Sequence, residues 1–383
     1  MAPRGFSGPV VLRSGSPAAL RLSGADLRVV ATARVYTCGI TPYDVTHLGH
    51  AATFVWADLL ASVWRLCDVE TVTCRNVTDV DDVLTRAARL RGGDVAQFAL
   101  EQEYAFDRGM SALRVRRPAY EPRARHFVGA VQQLAAALLA AGRAYVREGF
   151  VYFRGTGVVD RCGLSREAAL TLSAEFGDDP HDERRDDPFD VAVWRPSGNG
   201  EPAWPSPWGP GRPGWHAECA AMALSVLGPS VDVLAGGVDL AFPHHAYQAA
   251  MVEAVTSVTP FARVGLHVGE VRQDGAKMAK STGNLTLVTD LLREHSPAAV
   301  RLLLLDRPWH TAWDYDPGDL DRAAGRVEML YAAAGRSGGA ENPATGAVTT
   351  ALLDDLDVSR AIEVALDGGG AAARLLLRTL ALT

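Results

Sequence analysis

Residues 33–66 read ARVYTCGITPYDVTHLGHAATFVWADLLASVWRL, and this stretch decides the fold. Residues 33–38, ARVYTC, predict a buried strand. A loop, GITPYDVTHLG, follows. From His50 to Leu66, apolar residues fall at helical spacing, with Phe54, Leu59, Leu60, Val63 and Leu66 available for packing. Residues 70–82, ETVTCRNVTDVDD, begin with β-branched alternation and turn polar, which predicts a second strand running into a loop. Strand, loop, helix, strand is the opening of a parallel α/β sheet.

Working outward, residues 1–31 read as an extended leading segment with Pro and Gly turns and no apolar core of secretory type. Downstream, helical runs are expected near 94–113 and 122–142 and a short strand at 149–153. The stretch 177–213 is rich in Asp, Pro, Gly and Arg and predicts a long loop region, a feature that often carries function. A helix at 215–227 and a strand at 231–235 restart the α/β pattern. A helix at 244–258, strand-like residues 263–274 and a helical run at 287–305 follow. From about residue 319 the chain is Ala- and Leu-rich and helical, broken by SGGAENPATG. No internal repeat is visible.

The chain has 383 residues, 48% hydrophobic and 22% charged, an ordinary globular composition with room for two or three structural units. No run of about 20 apolar residues is present, so no membrane span is expected. Without a secretory pattern, a cytoplasmic location is expected. The net charge of −7 disfavours a broad nucleic-acid footprint, although it leaves room for a local basic groove. Of 38 Lys plus Arg, only Lys277 and Lys280 are lysines. Against so strong an arginine bias, two lysines three residues apart call for a chemical reason. The five cysteines, Cys38, Cys67, Cys74, Cys162 and Cys219, are scattered and odd in number. Reduced thiols, some of them metal ligands, are expected rather than a disulfide framework.

Three groups of residues carry chemistry. Thr46-His47-Leu48-Gly49-His50 stands at the strand-to-helix junction. A helix start offers free N–H groups and the positive end of a dipole, which suit phosphate, and both histidines can donate to one anion. The same residues also read as a polar helix cap. Lys277-Met278-Ala279-Lys280-Ser281, followed by Thr282-Gly283-Asn284, puts two ammonium groups on one loop, where they can neutralise a departing pyrophosphate. Cys38, Cys219 and the first residue of His244-His245 make a good zinc shell with one position open. Spacing alone leaves that shell open against buried thiols and a capping imidazole.

THLGH and KMAKS, in this order and 230 residues apart (47 to 277), resemble the two signatures of class I aminoacyl-tRNA synthetases. The resemblance implies an α/β fold: a Rossmann-like (HUP) catalytic domain that activates carboxylates with ATP, a connective insertion and a C-terminal helical region. The expected division is an N-terminal extension at 1–30, the first half of the catalytic domain at 31–117 and the insertion at 118–205. The second catalytic half follows at 206–260, a KMAKS-containing linker fold at 261–318 and the helical region at 319–383.

CGITPYDVTHLGH, PGWHAECAAM, GGVDLAFPHH and KMAKSTGN are similar to the cysteinyl-tRNA synthetase group throughout. In that group zinc holds the thiolate of substrate cysteine. The matching ligands are Cys38, Cys219 and His244, for one Zn²⁺ per chain. The group's fourth ligand, a Glu four residues after the first His, falls on Gln248, a poor zinc ligand. The resemblance therefore implies three protein ligands, with substrate sulfur completing the tetrahedron. Within the family, the chain most resembles the cysteine:glucosaminyl-inositol (mycothiol) ligases, on Ile40-Thr41-Pro42-Tyr43-Asp44, WPSPWGPGRPGWHAEC and Asn76-Val77-Thr78-Asp79. The likeness runs from about residue 20 to 330 and fades toward the C-terminus.

Carried over, the likeness implies that His47, His50, Lys277 and Lys280 stabilise phosphate charge. Cys38, Gly39, Ile40 and Thr41, with Thr53 and Asn76, Val77 and Thr78, should contact cysteinyl-adenylate. Trp215 should lie by the amino acid, Gly237, Val238 and Asp239 by the ribose, and Val271 near the adenine. Mg²⁺ is expected with ATP, and the partners are ATP, L-cysteine and a small amine acceptor, glucosaminyl-inositol (GlcN-Ins) in the resembled ligases. No nucleic acid and a monomer are expected. Glu175-Phe176-Gly177-Asp178-Asp179-Pro180 departs from a family loop usually read Glu-Arg-Gly-Gly-Asp-Pro, and Ala279 replaces the usual Ser of the lysine motif.

Three rivals remain. A cysteinyl-tRNA synthetase needs an RNA-gripping surface after KMAKS, yet residues 331–383 hold four Arg against six Asp plus Glu and no lysine. A cysteine:amine ligase of a secondary-metabolite pathway is permitted by the altered loop. A non-catalytic synthetase-like binding module is disfavoured by retention of both histidines, both lysines and all three matching ligands.

Overall fold

The computed structural model describes residues 19–43, 46–278, 283–337 and 343–383. The described chain starts with a hairpin, β1 (Leu20–Leu22) and β2 (Ala25–Leu27), inside the segment expected to be extended. Strand β3 (Thr32–Ile40) and helix α1 (Leu48–Leu66) follow, with His47 as the N-cap of α1. Strand β4 (Glu70–Val77) completes the predicted βαβ unit. Helix α2 (Asp82–Leu90) was not legible: the helix is short, and it starts inside the acidic run that reads as loop. Asp81 caps it, accepting from the Val83 and Leu84 N–H groups. Helix α3 (Val95–Ala112), capped by Asp94, matches its expected run. Helix α4 (Val128–Ala140) is shorter than expected and is preceded by one 3₁₀ turn.

Strands β5 (Ala144–Arg147) and β6 (Phe150–Phe153), helices α5 (Val158–Arg161) and α6 (Arg166–Glu175), and strands β7 (Val191–Pro196) and β8 (Gly211–Pro213) come next. The last two correct the long-loop reading of 177–213. The strands β5-β6-β7-β8 form an antiparallel sheet in that order. Turn residues dominate the window, but Val191 and Trp194 are buried and pair across the sheet, and Val193 is buried beside them.

Helix α7 (Trp215–Leu227), strand β9 (Val231–Gly237), a kinked turn at Ala241–His245, helix α8 (Ala246–Thr256) and strand β10 (Ala262–Val268) restore the α/β alternation. Short strands β11 (Val271–Gln273), β12 (Ala276–Lys277) and β13 (Trp313–Asp314) make a small sheet in the order β12-β11-β13. Helices α9 (Val288–Glu294) and α10 (Pro297–Leu305) lie between β12 and β13. Helices α11 (Pro317–Gly335), α12 (Pro343–Leu353), α13 (Val358–Gly368) and α14 (Gly370–Thr379) end the chain.

The central sheet has the order β10-β9-β3-β4, and all its pairings are parallel. Its faces feed two separate cores with period two. Val35, Val233 and Ala235 join α1, α10 and the C-terminal helices, while Tyr36, Cys38 and Leu234 join α4, α7 and α8. Wholly buried Arg301 on α10 pairs with Asp58 of α1 and donates to the carbonyls of Leu113 and Leu380, tying the last helix to the sheet layer. Strand β3 connects through α1 to β4 on one side and lies against β9 on the other. The carboxyl ends of β3 and β9 therefore border a topological switch point, where open α/β sheets bind ligands. No helix of the described residues is long and apolar enough to cross a membrane.

Candidate active site and metal centre

A cleft of about 750 Å³ opens at that switch point. At its floor, the end of β3 supplies Cys38, α7 supplies Cys219 and the kinked turn supplies His244. The three side chains come from segments far apart in sequence, yet their ligand atoms all lie within 4.8 Å of one another. They are 4%, 1% and 1% exposed. A tetrahedral zinc shell with bonds of about 2.0–2.3 Å has edges of about 3.5 Å, so a small inward movement closes the cluster. Two thiolates and an imidazole are the right donor chemistry for that ion. All five cysteines are free thiols.

The neighbours set the state of these ligands. His244 stacks on Trp215 (ring centroids 4.2 Å apart), and its Nδ1 lies 3.0 Å from Nδ1 of His216. That contact leaves Nε2 of His244 free for a metal. Burial holds His216 down at about 4, and burial first, then the adjacent His216 and His245, hold His244 well below the usual imidazole range. Neutral imidazole is the ligating form. Burial pushes the Cys38 thiol well above its usual value, with Cys219 adding to the effect. A bound divalent cation inverts that balance, because a coordinating thiol is deprotonated outright.

One wall of the cleft is made by the ends of β3 and β4. The Gly39 N–H donates to Asn76 Oδ1 at 2.9 Å, Asn76 Nδ2 to Thr78 Oγ1 at 3.0 Å, and the Thr78 N–H to the Ile40 carbonyl at 2.8 Å. A Cβ at position 39 would run into the Asn76 carbonyl, so only glycine allows this approach. Ile40, Thr41, Thr53, Trp215, Val238 and Val271 also line the cleft, as does Gly237 at the end of β9. Val77 is buried and its side chain does not reach the cleft.

The far end carries the charged groups. His47 caps α1, its Nδ1 accepting from the Gly49 N–H at 3.1 Å, and its ring lies 4.1 Å from that of His50. The Leu48 N–H donates to the Thr286 carbonyl and the Val288 N–H to the Thr46 carbonyl, at 3.0 and 3.1 Å. These bonds zip the histidine motif to the segment that follows the lysine motif. Lys277 Nζ lies 2.7 Å from Asp239 Oδ2 and 3.9 Å from Glu270. Lys280, with Asp44 and Ala279, lies outside the described residues.

Sequence reasoning missed several side chains here. His216 stands in the quoted PGWHAEC run, but only the fold reveals its partner. Phe176 stacks on Trp215 (centroids 6.0 Å, 21° between planes), so the altered loop fills the place of its missing Arg with an aromatic ring. Asp178 of that loop pairs with Arg185. Of the acidic run, Asp79 pairs with Arg125, and Asp82 with Arg195 and Arg212. Asp81 reaches the cleft.

Residues 28–325 match the family described as tRNA synthetases class I (C) catalytic domain. The L-cysteine:1D-myo-inositol 2-amino-2-deoxy-alpha-D-glucopyranoside ligase of Mycobacterium ulcerans is 43% identical over 94% of the chain and 91% of its own length. The ligase of the same name from Thermomonospora curvata is 42% identical over 88% of the chain and 85% of its own length. Among solved structures, Mycobacterium tuberculosis methionyl-tRNA synthetase in complex with methionyl-adenylate superposes with a TM-score of 0.63 at 16% identity. It covers 92% of this chain and 82% of that one. The Agrobacterium radiobacter K84 LeuRS ternary complex gives 0.65 at 12% identity, covering 92% and 83%. These two likenesses concern the fold.

Proposed function

Because the chain belongs to the class I (C) tRNA synthetase catalytic-domain family, we propose that it is an ATP-dependent, AMP-forming cysteine:amine ligase. The amine is that of GlcN-Ins, and the product is an amide of mycothiol biosynthesis. The observation that carries this reading is the buried Cys38–Cys219–His244 cluster at the floor of a cleft whose other end holds His47, His50 and Lys277. Likeness to the mycobacterial ligase over nine-tenths of both chains supports the acceptor. The expected division of the chain, with 31–117 and 206–260 as the two catalytic halves and 118–205 as the insertion, belongs to the same reading.

Cys38, Cys219 and His244 would hold one Zn²⁺. The ion supplies a soft Lewis-acid position that selects a thiolate over a hydroxyl still protonated at neutral pH. Trp215 walls the amino-acid end of the cleft. Gly39, Ile40, Thr41, Asn76 and Thr78 present the close edge along which an adenylate can lie. Asp239 accepts from ribose hydroxyls, and Val271 packs on the adenine. The cysteine carboxylate attacks the α-phosphate of Mg²⁺-ATP; its O–P bond forms and pyrophosphate leaves with the electron pair. His47, His50, Lys277 and Lys280 offset the charge that develops. The acceptor amine then attacks the acyl carbon. A C–N bond forms, the acyl C–O bond breaks and AMP leaves, with the amine's protons passing to solvent.

The deciding experiment measures AMP release by zinc-loaded protein with ATP and cysteine, with and without GlcN-Ins. The expected result is strong stimulation and a cysteinyl amide. Cysteine-dependent pyrophosphate exchange without stimulation would move the acceptor to another amine or to tRNA.

A further inference from the structure

A second cavity, of about 560 Å³, opens beside the cleft. Its size falls in the range of small-molecule sites, about 300–1,000 Å³. Leu172, Arg272, His310 and Ala312 line this cavity and not the cleft, while Glu175, Phe176, Val238 and Asp239 border both, so the two spaces meet there. Gly269 brings in the outer wall. A Cβ at this position would lie 2.3 Å from the Thr311 carbonyl oxygen. Without one, the Gly269 N–H donates to the Trp309 carbonyl at 2.8 Å, which seats His310 and Ala312 against the end of β10.

The junction falls at a telling place. In cysteinyl-adenylate the acyl–phosphate linkage lies between the amino acid and the ribose. Phe176 stacks on Trp215, the wall proposed for the amino acid, and Val238 and Asp239 belong to the wall proposed for the ribose. With the adenylate so placed, the second cavity opens on the flank of the linkage, where an attacking nitrogen must be delivered. Its lining suits an amine that carries hydroxyls. Glu175, Asp239 and Glu270 set three carboxylates against two cationic groups, Lys277 and Arg272. Lys277 rests on Asp239 at 2.7 Å and Arg272 Nε on Glu270 at 2.8 Å, whereas Glu175 makes no ion pair among the described residues. That carboxylate is left over for an ammonium. The terminal nitrogens of Arg272 and the His310 ring can hydrogen-bond hydroxyls, and Leu172 and Phe176 offer apolar surface to the C–H face of a sugar ring.

We infer that this second cavity is the acceptor subsite, in which Glu175 receives the ammonium of a polyhydroxylated amine and Arg272 and His310 take its hydroxyls. This deepens the ligase reading proposed for the chain and rests on it. Glu175 is itself exposed, so the proton that the amine sheds before it attacks passes to water.

The test uses the full zinc-loaded chain and varies GlcN-Ins at saturating ATP and cysteine. Two rates are read: acceptor-dependent AMP release, and cysteine-dependent pyrophosphate exchange, which needs no acceptor. Glu175→Gln keeps the shape and removes the charge, and it is expected to raise the KM for GlcN-Ins about tenfold. Ala312→Trp fills the cavity from a position that does not line the cleft, and it is expected to raise that KM at least about tenfold. Exchange and the KM for cysteine should stay within about twofold of wild type in both variants, which also shows that both fold. A KM for GlcN-Ins unchanged in both variants would overturn the inference. So would a loss of exchange equal to the loss of AMP release, because it would put these residues in the adenylate half of the reaction. If one variant does not fold, the other decides alone. A wild-type protein that exchanges pyrophosphate without stimulation by GlcN-Ins is a different failure: it removes the acceptor reading, and the inference with it.

Discussion

The floor of the cleft and its charged end are built to opposite rules. At the floor, Cys38, Cys219 and His244 are almost fully buried and are braced by Trp215, His216 and Gln248. At the other end, His50 is open to solvent and Lys277 is half exposed, its ammonium resting on Asp239, the carboxylate proposed for the ribose. Selecting a thiol over a hydroxyl needs fixed ligands, because preorganised donors cost nothing to arrange when the substrate arrives. Stabilising a pyrophosphate that must leave needs charges that can be handed from one partner to another. In the proposed function, ribose hydroxyls at Asp239 would compete with Lys277 for that carboxylate and so release its ammonium toward phosphate.

The largest expected effect strikes the floor. Cys219→Ala should remove the metal and lower cysteine-dependent pyrophosphate exchange by about 10³-fold, read from metal content and exchange on the same preparation. Full exchange in that variant would break the distinction between the two ends. Next comes Lys277→Ala, expected to slow exchange by about 10²-fold while metal content and thermal midpoint stay as in wild type. A loss of metal in this variant would mean the two ends are not separable. The smallest effect is expected at Phe176→Ala. Removing one face of the stack on Trp215 should raise the KM for cysteine about three- to tenfold, since an aromatic pair contributes roughly 0.5–1.5 kcal/mol. An unchanged KM would place Phe176 outside the amino-acid end.

The alternation of β3, α1 and β4 was legible because both faces of the sheet are buried and α1 is apolar along most of its length. The residues of the Cys38–Cys219–His244 cluster were legible through local motifs but not through spacing, since β3, α7 and the kinked turn meet only in the folded chain. Of the antiparallel sheet, only β6 was legible, as the short strand expected at 149–153. Two of its strands, β7 and β8, lie in a window dominated by Asp, Pro, Gly and Arg, and β7 joins the rest of the sheet only through β6, far upstream at Phe150–Phe153. A side chain whose contact lies with another buried side chain, as His216 with His244, leaves no periodic mark at all. Its signal is a three-dimensional contact between side chains that are 28 residues apart.

The arginine bias of the chain has a practical consequence. Only Lys277 and Lys280 carry an ε-amino group, and Lys277 stands half exposed at the mouth of the cleft. Amine-directed labelling, which scatters over the surface of most proteins, is here nearly an active-site method. If the cleft takes ATP as proposed, a reagent joining an aldehyde to a phosphate should label Lys277, and ATP should protect against it. The same scarcity makes a lysine-specific protease a selective probe of this motif, since every cut it makes falls at Lys277 or Lys280.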